Sequence, residues 1–296
     1  MLKEKILERI RNTGPLPVDT YMEICNTHYY ATRDPFGTKG DFTTAPEISQ
    51  IFGEMIGIWA ITEWEKLKRP KDIAIMELGP GRGTLMADLL RAIKIAPEFQ
   101  PEVHMVEFSP TLQEMQKKTL SKYNVTWHTE IPQLKKKTLL VANEFFDALP
   151  IKQFTPDGER LIHEKDGELY FNSNEVTIEI CPLLKPIMQD ISKQCAAGII
   201  IDYGYFTPKG ADSLQAVKNH KYHNLLEDPG EADLTSHVNF AELAANCQKK
   251  PRLMTQREFL LAYGADVRAQ IIGKQQDLER LTAPDQMGEL FKVLCF

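Results

Sequence analysis

The chain has 296 residues, of which 43% are hydrophobic and 26% are charged, an ordinary composition for a soluble globular protein. Its formal net charge of −6 and its pI near 5.7 argue against a nucleic-acid partner, because a phosphate-binding protein usually presents a basic face. No apolar run approaches the length of a transmembrane helix, so the sequence predicts no insertion into a membrane.

The cysteines predict a reducing compartment. They are scattered, odd in number and without a Cys-x-x-Cys pair, which argues against a disulfide framework and a zinc site: Cys25, Cys181, Cys195, Cys247 and Cys295. The first residues lack the apolar core of a signal peptide, and Glu4 and Glu8 argue against a mitochondrial transit peptide. We therefore expect a cytoplasmic protein. Histidines at 220, 223 and 237 lack the His-Glu-x-x-His spacing of zinc hydrolases, and no metal site is predicted.

Residues 1–70 are predicted to form an N-terminal helical segment that includes a lid. Two helices are expected within residues 1–27, followed by a polar and aromatic loop over residues 28–43. The sequence Thr44-Ala45-Pro46-Glu47 fits a capping box and predicts the start of one long helix. In that helix, Gly53 and Gly57 would allow another element to pack closely.

The stretch from Ile73 to Leu85 predicts a nucleotide-binding bend. Apolar residues of a buried strand lead into Gly79, Gly81 and Gly83, and Thr84 then begins an amphipathic helix. Backbone N–H groups and the positive end of the helix would face a ligand there. The third glycine is one place too early for a dinucleotide fingerprint, and no Lys-Ser or Lys-Thr of a triphosphate loop follows.

Two acids near strand ends indicate which ligand this bend would hold. Glu77, two residues before Gly79, would repel a pyrophosphate but suits a cation that carries an amine and a sulfonium, namely S-adenosyl-L-methionine (SAM). The next predicted strand, residues 103–108, carries Glu107 near its end, where an acid in such folds accepts the hydroxyls of a ribose. We therefore predict a SAM site that includes both acids, the glycine bend and Thr84.

A second group of acids follows the strand that begins at Thr138. This strand runs into Asn143-Glu144-Phe145-Phe146-Asp147, and a later strand, residues 198–205, carries Asp202 near its end. Because ligands bind at the carboxyl ends of parallel strands, we expect Glu144 and Asp147 beside the methyl group of the cofactor, and Asn143 at the cofactor itself. Two carboxylates near two aromatic rings would bind a guanidinium or an amine.

The alternation of strands and helices after residue 70 predicts an α/β domain over residues 71–296. Alternating apolar and polar residues around two Asp-Gly turns indicate a β insertion at about 151–182. A stretch of little periodicity at about 206–238 is expected to face the substrate.

Five blocks of the sequence resemble the MidA family of SAM-dependent methyltransferases. They are YYATRDPFGTKGDFTTAPEISQ (29–50), ELGPGRGTL (77–85), NEFFDALP (143–150), IDYGY (201–205) and DPGEADLTSHVNF (228–240). The resemblance implies a Rossmann-like class I methyltransferase fold with a mostly parallel seven-stranded sheet, an N-terminal helical extension and insertions. It also implies S-adenosyl-L-homocysteine as the product, and cofactor contacts from Gly40 and Phe42 in a segment that folds over the site.

The resemblance further implies a partner. Mitochondrial members of the family are complex I assembly factors that dimethylate an arginine of a core subunit. We therefore expect a protein substrate with an accessible arginine, and a homodimer is one assembly open to the chain.

Methyl transfer to an arginine nitrogen would need a carboxylate within hydrogen-bond reach, to free the nitrogen lone pair from delocalisation. Glu144 and Asp147 are the first candidates for this role, and Asp202 and Asp41 are the second. Two other classes of function stay open. One is a SAM-binding assembly chaperone without turnover, and the other is a nicotinamide oxidoreductase, which would need the third glycine one place later.

Overall fold

The computed structural model describes residues 1–32, 43–207 and 212–296, apart from the side chain of Thr32. The helices are α1 (Leu2–Thr13), α2 (Val18–Thr32), α3 (Ala45–Ile48), α4 (Gln50–Lys66), α5 (Thr84–Ala92), α6 (Pro110–Thr119), α7 (Leu184–Gln194), α8 (Phe240–Asn246), α9 (Gln256–Ala262), α10 (Ala265–Ile272), α11 (Gln275–Thr282) and α12 (Met287–Leu290), with a short 3-10 helix at Ile93–Ile95. The strands are β1 (Leu16–Pro17), β2 (Ile73–Leu78), β3 (Glu102–Val106), β4 (Val125–His128), β5 (Lys137–Asn143), β6 (Lys152–Thr155), β7 (Gly158–Glu159), β8 (Leu161–Lys165), β9 (Glu168–Phe171), β10 (Ile178–Ile180), β11 (Ala197–Tyr205), β12 (Gln215–Lys218), β13 (Lys221–His223), β14 (Asp233–Thr235), β15 (Val238–Asn239), β16 (Arg252–Thr255) and β17 (Phe291–Cys295).

The central sheet has the order β16-β17-β11-β5-β2-β3-β4, and short β15 pairs with the end of β11 as an eighth strand. Neighbours from β11 to β4 are parallel, whereas β17 is antiparallel to both β11 and β16. The predicted Rossmann-like fold is therefore confirmed. In this order the carboxyl ends of β2, β3, β5 and β11 meet at one edge of the sheet, which is where ligands bind in such folds.

The strand that leads to the glycine bend lies at the centre of this sheet. Every residue of β2 is buried, because β3 and β5 flank it and helices cover both faces of the sheet. On one face α4 packs against α5, with Gly53 and Gly57 at the contact. A Cβ atom at Gly57 would lie 2.8 Å from the Cβ atom of Ala92, so the predicted close approach at these two glycines is confirmed.

The predicted capping box and single long helix are wrong. The helix α3 ends at Ile48, Ser49 is extended, and α4 begins only at Gln50. Thr44 makes no side-chain capping bond within the described residues. Instead, the Glu47 carboxylate accepts a hydrogen bond of 2.6 Å from the hydroxyl of Thr84, a partner distant in sequence.

The predicted end of the second helix is also wrong. Residues 28–32, which the sequence suggested as the start of a loop, continue α2. The Tyr29 ring on this last turn is fully buried, and its burial favours the helix over a solvated loop. The rest of the predicted loop, which includes Gly40, Asp41 and Phe42, lies outside the described residues.

A second hydrophobic core lies apart from the central sheet. It joins α1, α2 and β1 to strands β8 and β14 through buried side chains such as Ile6, Leu16, Met22, Ile162 and Leu234. Residues 1–70 thus contribute to both cores, since α4 belongs to the first. The division at residue 70 stays a prediction. In the described ranges, no helix combines the length and the apolar character that crossing a membrane requires.

Replacing Gly53 by alanine tests the contact between α4 and α5. Its Cβ would lie 2.6 Å from the Cβ atom of Asp88, so we expect Gly53→Ala to lower the free energy of unfolding. The loss should be about 1–3 kcal/mol, although alanine is the better helix former. Urea unfolding measures it, with Glu8→Ala on the exposed face of α1 as the control. A Gly53→Ala protein as stable as the wild type would contradict the packing.

Candidate active site

The glycine bend follows β2 directly. Gly79, Gly81 and Gly83 have φ values of +60°, +52° and +79°, a region that glycine adopts without steric strain. A Cβ atom at Gly79 would lie 3.1 Å from Cδ2 of Phe145, so a side chain there would press on the neighbouring turn. The first turn of α5 receives no side-chain capping bond from its N-cap residue, Gly83, which leaves its amides available to a ligand.

A cavity of about 620 Å³ opens at the carboxyl edge of the sheet. This volume is within the range of small-molecule and cofactor sites. Eight of the predicted site residues line it: Glu77, Gly79, Gly81, Thr84, Glu107, Asn143, Glu144 and Asp147. The sheet order therefore brings together acids that are up to 70 residues apart in the sequence. Their individual roles stay predictions.

The described part of the cavity wall does not include two residues that the sequence suggested. Gly83 faces α6 instead, where a Cβ atom would lie 3.5 Å from the side chains of Gln116 and Leu120. Its left-handed backbone allows the bend to enter α5, and that conformation accounts for glycine at this position. Asp202 lies behind the wall, fully buried, where it accepts hydrogen bonds from backbone N–H groups.

The two acids predicted at the cofactor are buried. Glu77 is 2% exposed, its Oε2 has no hydrogen-bond partner in the described ranges, and burial raises the pKa of its carboxyl to about 8. Glu107 accepts from the Ser109 N–H at 2.8 Å and from the Gln116 side-chain amide at 3.3 Å. Burial raises the pKa of Glu107 to about 7, and these hydrogen bonds oppose the rise.

The turn after β5 carries the two acids predicted to act on the substrate. Glu144 has a φ of +50°, which is uncommon for a residue with a side chain and concentrates at functional sites. Burial, then the nearby Asp147 carboxyl, raises the pKa of Glu144 to about 8. Burial also raises the pKa of Asp147, whose Oδ1 has no hydrogen-bond partner among the described residues. Both side chains are therefore poised to receive a cation or a donor group.

Two further cavity residues were missing from the predicted site. The Tyr30 hydroxyl donates a hydrogen bond of 2.8 Å to Asp233, and both residues line the cavity. Tyr30 was assigned to a loop and Asp233 to a stretch without periodicity, so neither had a predicted neighbour. Both lie in blocks that carry the family resemblance, which was the one signal that pointed to them.

These features fit an adenosyl cofactor with positive charge. At one end of the cavity is the first turn of α5, which has no side-chain cap from Gly83, and its wall holds buried oxygens of Glu77, Asn143 and Asp147 that have no hydrogen-bond partner among the described residues. Such oxygens favour hydrogen-bond donors and cations, because burying them without a partner is costly. In the described ranges, no group of three His, Cys, Asp or Glu side chains is arranged to hold a metal ion.

A family model for S-adenosyl-L-methionine-dependent methyltransferases matches residues 55–173 and 165–257. The chain belongs to this methyltransferase family. SAM is accordingly its cofactor, and the Glu77 carboxyl, the bend and Glu107 are the residues that would hold it.

Curated relatives span nearly the whole methyltransferase. The mitochondrial protein arginine methyltransferase NDUFAF7 of Xenopus tropicalis is 33% identical over an alignment of 366 positions, gaps included. The alignment covers 98% of this chain and 84% of the relative. The human protein of that name is 32% identical, with 97% and 81% covered, and the Drosophila melanogaster homologue is 34% identical, with 99% and 84% covered.

Solved structures show the same fold. A Burkholderia thailandensis protein crystallised with S-adenosyl-homocysteine superimposes with a TM-score of 0.89 at 24% sequence identity, over 100% of this chain and 91% of that protein. A native crystal structure of a Burkholderia thailandensis protein of the same superfamily superimposes with a TM-score of 0.84 at 24% identity. The agreement covers the central sheet together with the second core.

Replacing Glu77 by glutamine tests its burial as an acid. Its pKa of about 8 in the folded protein is above the usual 4.5, so the folded protein favours the neutral form. The free energy of unfolding therefore falls as the pH rises from about 4.5 to 8, where the unfolded chain has already lost this proton. Without cofactor, Glu77→Gln should therefore match the wild type at pH 5 and be more stable by about 1–3 kcal/mol at pH 8.5. Urea unfolding at the two pH values measures the difference.

The exposed variant Glu8→Gln serves as the control for this measurement and should behave alike at both pH values. A stability difference for Glu77→Gln that does not depend on pH would show that the carboxyl is not buried as described.

Proposed function

We propose that this methyltransferase transfers the methyl group of SAM to a side-chain nitrogen of an arginine in a protein. The observation that carries the proposal is the set of carboxyl groups in one cavity wall, where Asp147 and Asp233 are buried and Glu144 is half-buried. The names of the curated relatives, which are protein arginine methyltransferases, support the same substrate.

The chemistry of a guanidinium fits these acids. It is a planar cation with five N–H donors, and carboxylates bind it through paired, charge-assisted hydrogen bonds. A nearby cation also lowers the raised pKa values of buried acids, so that binding the substrate would ionise the groups that hold it. The free Oδ1 of Asp147 offers an acceptor that the described protein groups leave unused.

Transfer forms one N–C bond as the S–C bond of the sulfonium breaks, and the nitrogen then loses a proton. The cofactor supplies the electrophilic methyl group. The protein fixes the nitrogen in line with that group and accepts the proton, for which Glu144 is the first candidate and Asp147 the second. Positioning of this kind supplies much of the acceleration when the leaving group is already good.

Two finer points extend the proposal. The resemblance to the MidA family supports a subunit of a complex I-like respiratory assembly as the substrate. A reducing compartment such as the cytoplasm is supported by the five cysteines, which are all free.

Labelling identifies the acceptor. The purified protein is incubated with methyl-labelled SAM and a native cell extract, and the labelled protein is digested and analysed by mass spectrometry. We expect the label on an arginine side chain. Label on lysine, on a carboxyl group or on a small molecule would refute the arginine proposal, and no label with SAM bound would favour a chaperone without turnover.

Replacing Glu144 by glutamine tests the role of that acid. Glu144→Gln keeps the shape of the side chain but removes its capacity to accept a proton, so methyl transfer should fall by about a hundredfold or more. SAM affinity, measured by calorimetry, should change less than about threefold. The exposed variant Glu279→Gln is the matched control. Loss of SAM binding in Glu144→Gln would assign this acid to the cofactor instead.

A further inference from the structure

Asp202 lies at the end of β11, directly behind the turn that carries Glu144 and Asp147. Its side chain is fully buried and does not belong to the described wall of the cavity. One carboxyl oxygen accepts the N–H groups of Phe146 at 3.0 Å and Asp147 at 3.2 Å. The other accepts the N–H of Tyr203 at 2.9 Å, so the carboxyl acts as an acceptor in all three of these hydrogen bonds.

The turn 144–147 has a backbone conformation that requires hydrogen bonds to groups outside the turn. Glu144 adopts a left-handed backbone, which is strained for a residue with a side chain and persists only where its surroundings hold it. Backbone groups fix the two ends of the turn: the Glu144 N–H donates to the Ile201 carbonyl at 2.9 Å, and the Ser236 N–H donates to the Asp147 carbonyl at 3.0 Å. Between these ends, the N–H groups of Phe146 and Asp147 are held by Asp202.

We propose that Asp202 is a positioning residue for methyl transfer, whose carboxyl holds the turn 144–147 so that Glu144 and Asp147 face the cavity. The inference rests on the proposed function for the role of those two acids. It corrects the catalytic role suggested for Asp202 by its place at a strand end, because a group behind the wall cannot touch the substrate.

The carboxyls of this region also affect one another's titration. Burial raises its pKa, and the carboxyls of Asp147 and Glu144 raise it further. Other titratable groups near these acids are Tyr30 on α2, Tyr203 on β11 and Asp233 on β14, and Lys292 is the register partner of Asp202 on β17. Lys292 donates to the carbonyl of Glu289. Glu144 and Asp147 therefore ionise before Asp202 does, and Asp202 acts on them through its hydrogen bonds to the turn.

The test compares Asp202→Asn with the wild type in three measurements. SAM affinity by calorimetry should stay within about threefold, because the cofactor-facing residues are unchanged. Methyl transfer at saturating SAM into native cell extract should fall by about tenfold or more, because asparagine cannot offer acceptors to all three N–H groups. Hydrogen exchange at the amides of Phe146 and Asp147 should be faster than in the wild type, because these N–H groups lose an acceptor. A wild-type rate with wild-type amide exchange would overturn the proposal, as would loss of SAM affinity in parallel with the rate.

Hydrogen exchange tests the same proposal in the wild-type protein. This test can therefore be made even if the Asp202→Asn variant fails to fold. The amides of Phe146 and Asp147 should be protected like those of strand β5, and exchange at the rate of an exposed loop would overturn the inference. If the wild type transfers no methyl group, the proposed function is refuted. Whether Asp202 holds the turn is then still decided by the protection of the two amides and its loss in Asp202→Asn.

Discussion

Burial of acids at one edge of the parallel sheet is the constraint on which the rest of the structure depends. The order of the strands places the ends of β2, β3, β5 and β11 side by side, and each of these ends carries or adjoins an acid. In water these carboxyls would be ionised at neutral pH, whereas burial raises the pKa of Glu77, Glu107 and Glu144 toward neutrality or above it. The site is therefore one that a positive ligand stabilises and a negative ligand does not.

The walls of the cavity come from both hydrophobic cores. The glycine bend and the turn at 144–147 belong to the central sheet and touch each other, because a side chain at Gly79 would press on Phe145. Tyr30 lies on α2 and Asp233 on β14, and both elements pack into the second core. The Asn26 side chain joins these parts, since its amide donates to the carbonyl of Leu234 at 2.8 Å and to that of Ala148 at 3.3 Å. Relative placement of the two cores thus sets the shape of the cavity.

Short sequence patterns predicted the features that depend on residues close together in the sequence. The buried strand, the glycine bend and the start of α5 were all readable, because apolar runs and left-handed glycines have signatures within a few residues. The errors came from contacts distant in sequence. Glu47 matched a capping box, yet Thr84 on another helix binds it, and Asp202 occupies a strand end but turns away from the cavity. Asp233 was missed for the same reason, since its hydrogen-bond partner in the cavity wall is Tyr30, which is 203 residues away in the sequence.

The Glu77 carboxyl, which suggested a cationic ligand, is itself ionised near neutral pH only when a cation lies beside it. The sequence predicts a negative charge on Glu77, but burial raises its pKa to about 8, so without cofactor its neutral form is favoured near pH 7. A sulfonium and an amine nearby reverse this preference, because opposite charges within a few ångströms lower the pKa of a carboxyl. With Glu77 and Glu107 at the cofactor, as predicted, binding of SAM would be coupled to release of protons, and its affinity would rise with pH over the range in which the free acids titrate. The product has lost the sulfonium charge and gains less from the same acids. The buried carboxyls therefore favour the charged donor over the neutral thioether that remains after transfer, which helps the spent cofactor to leave.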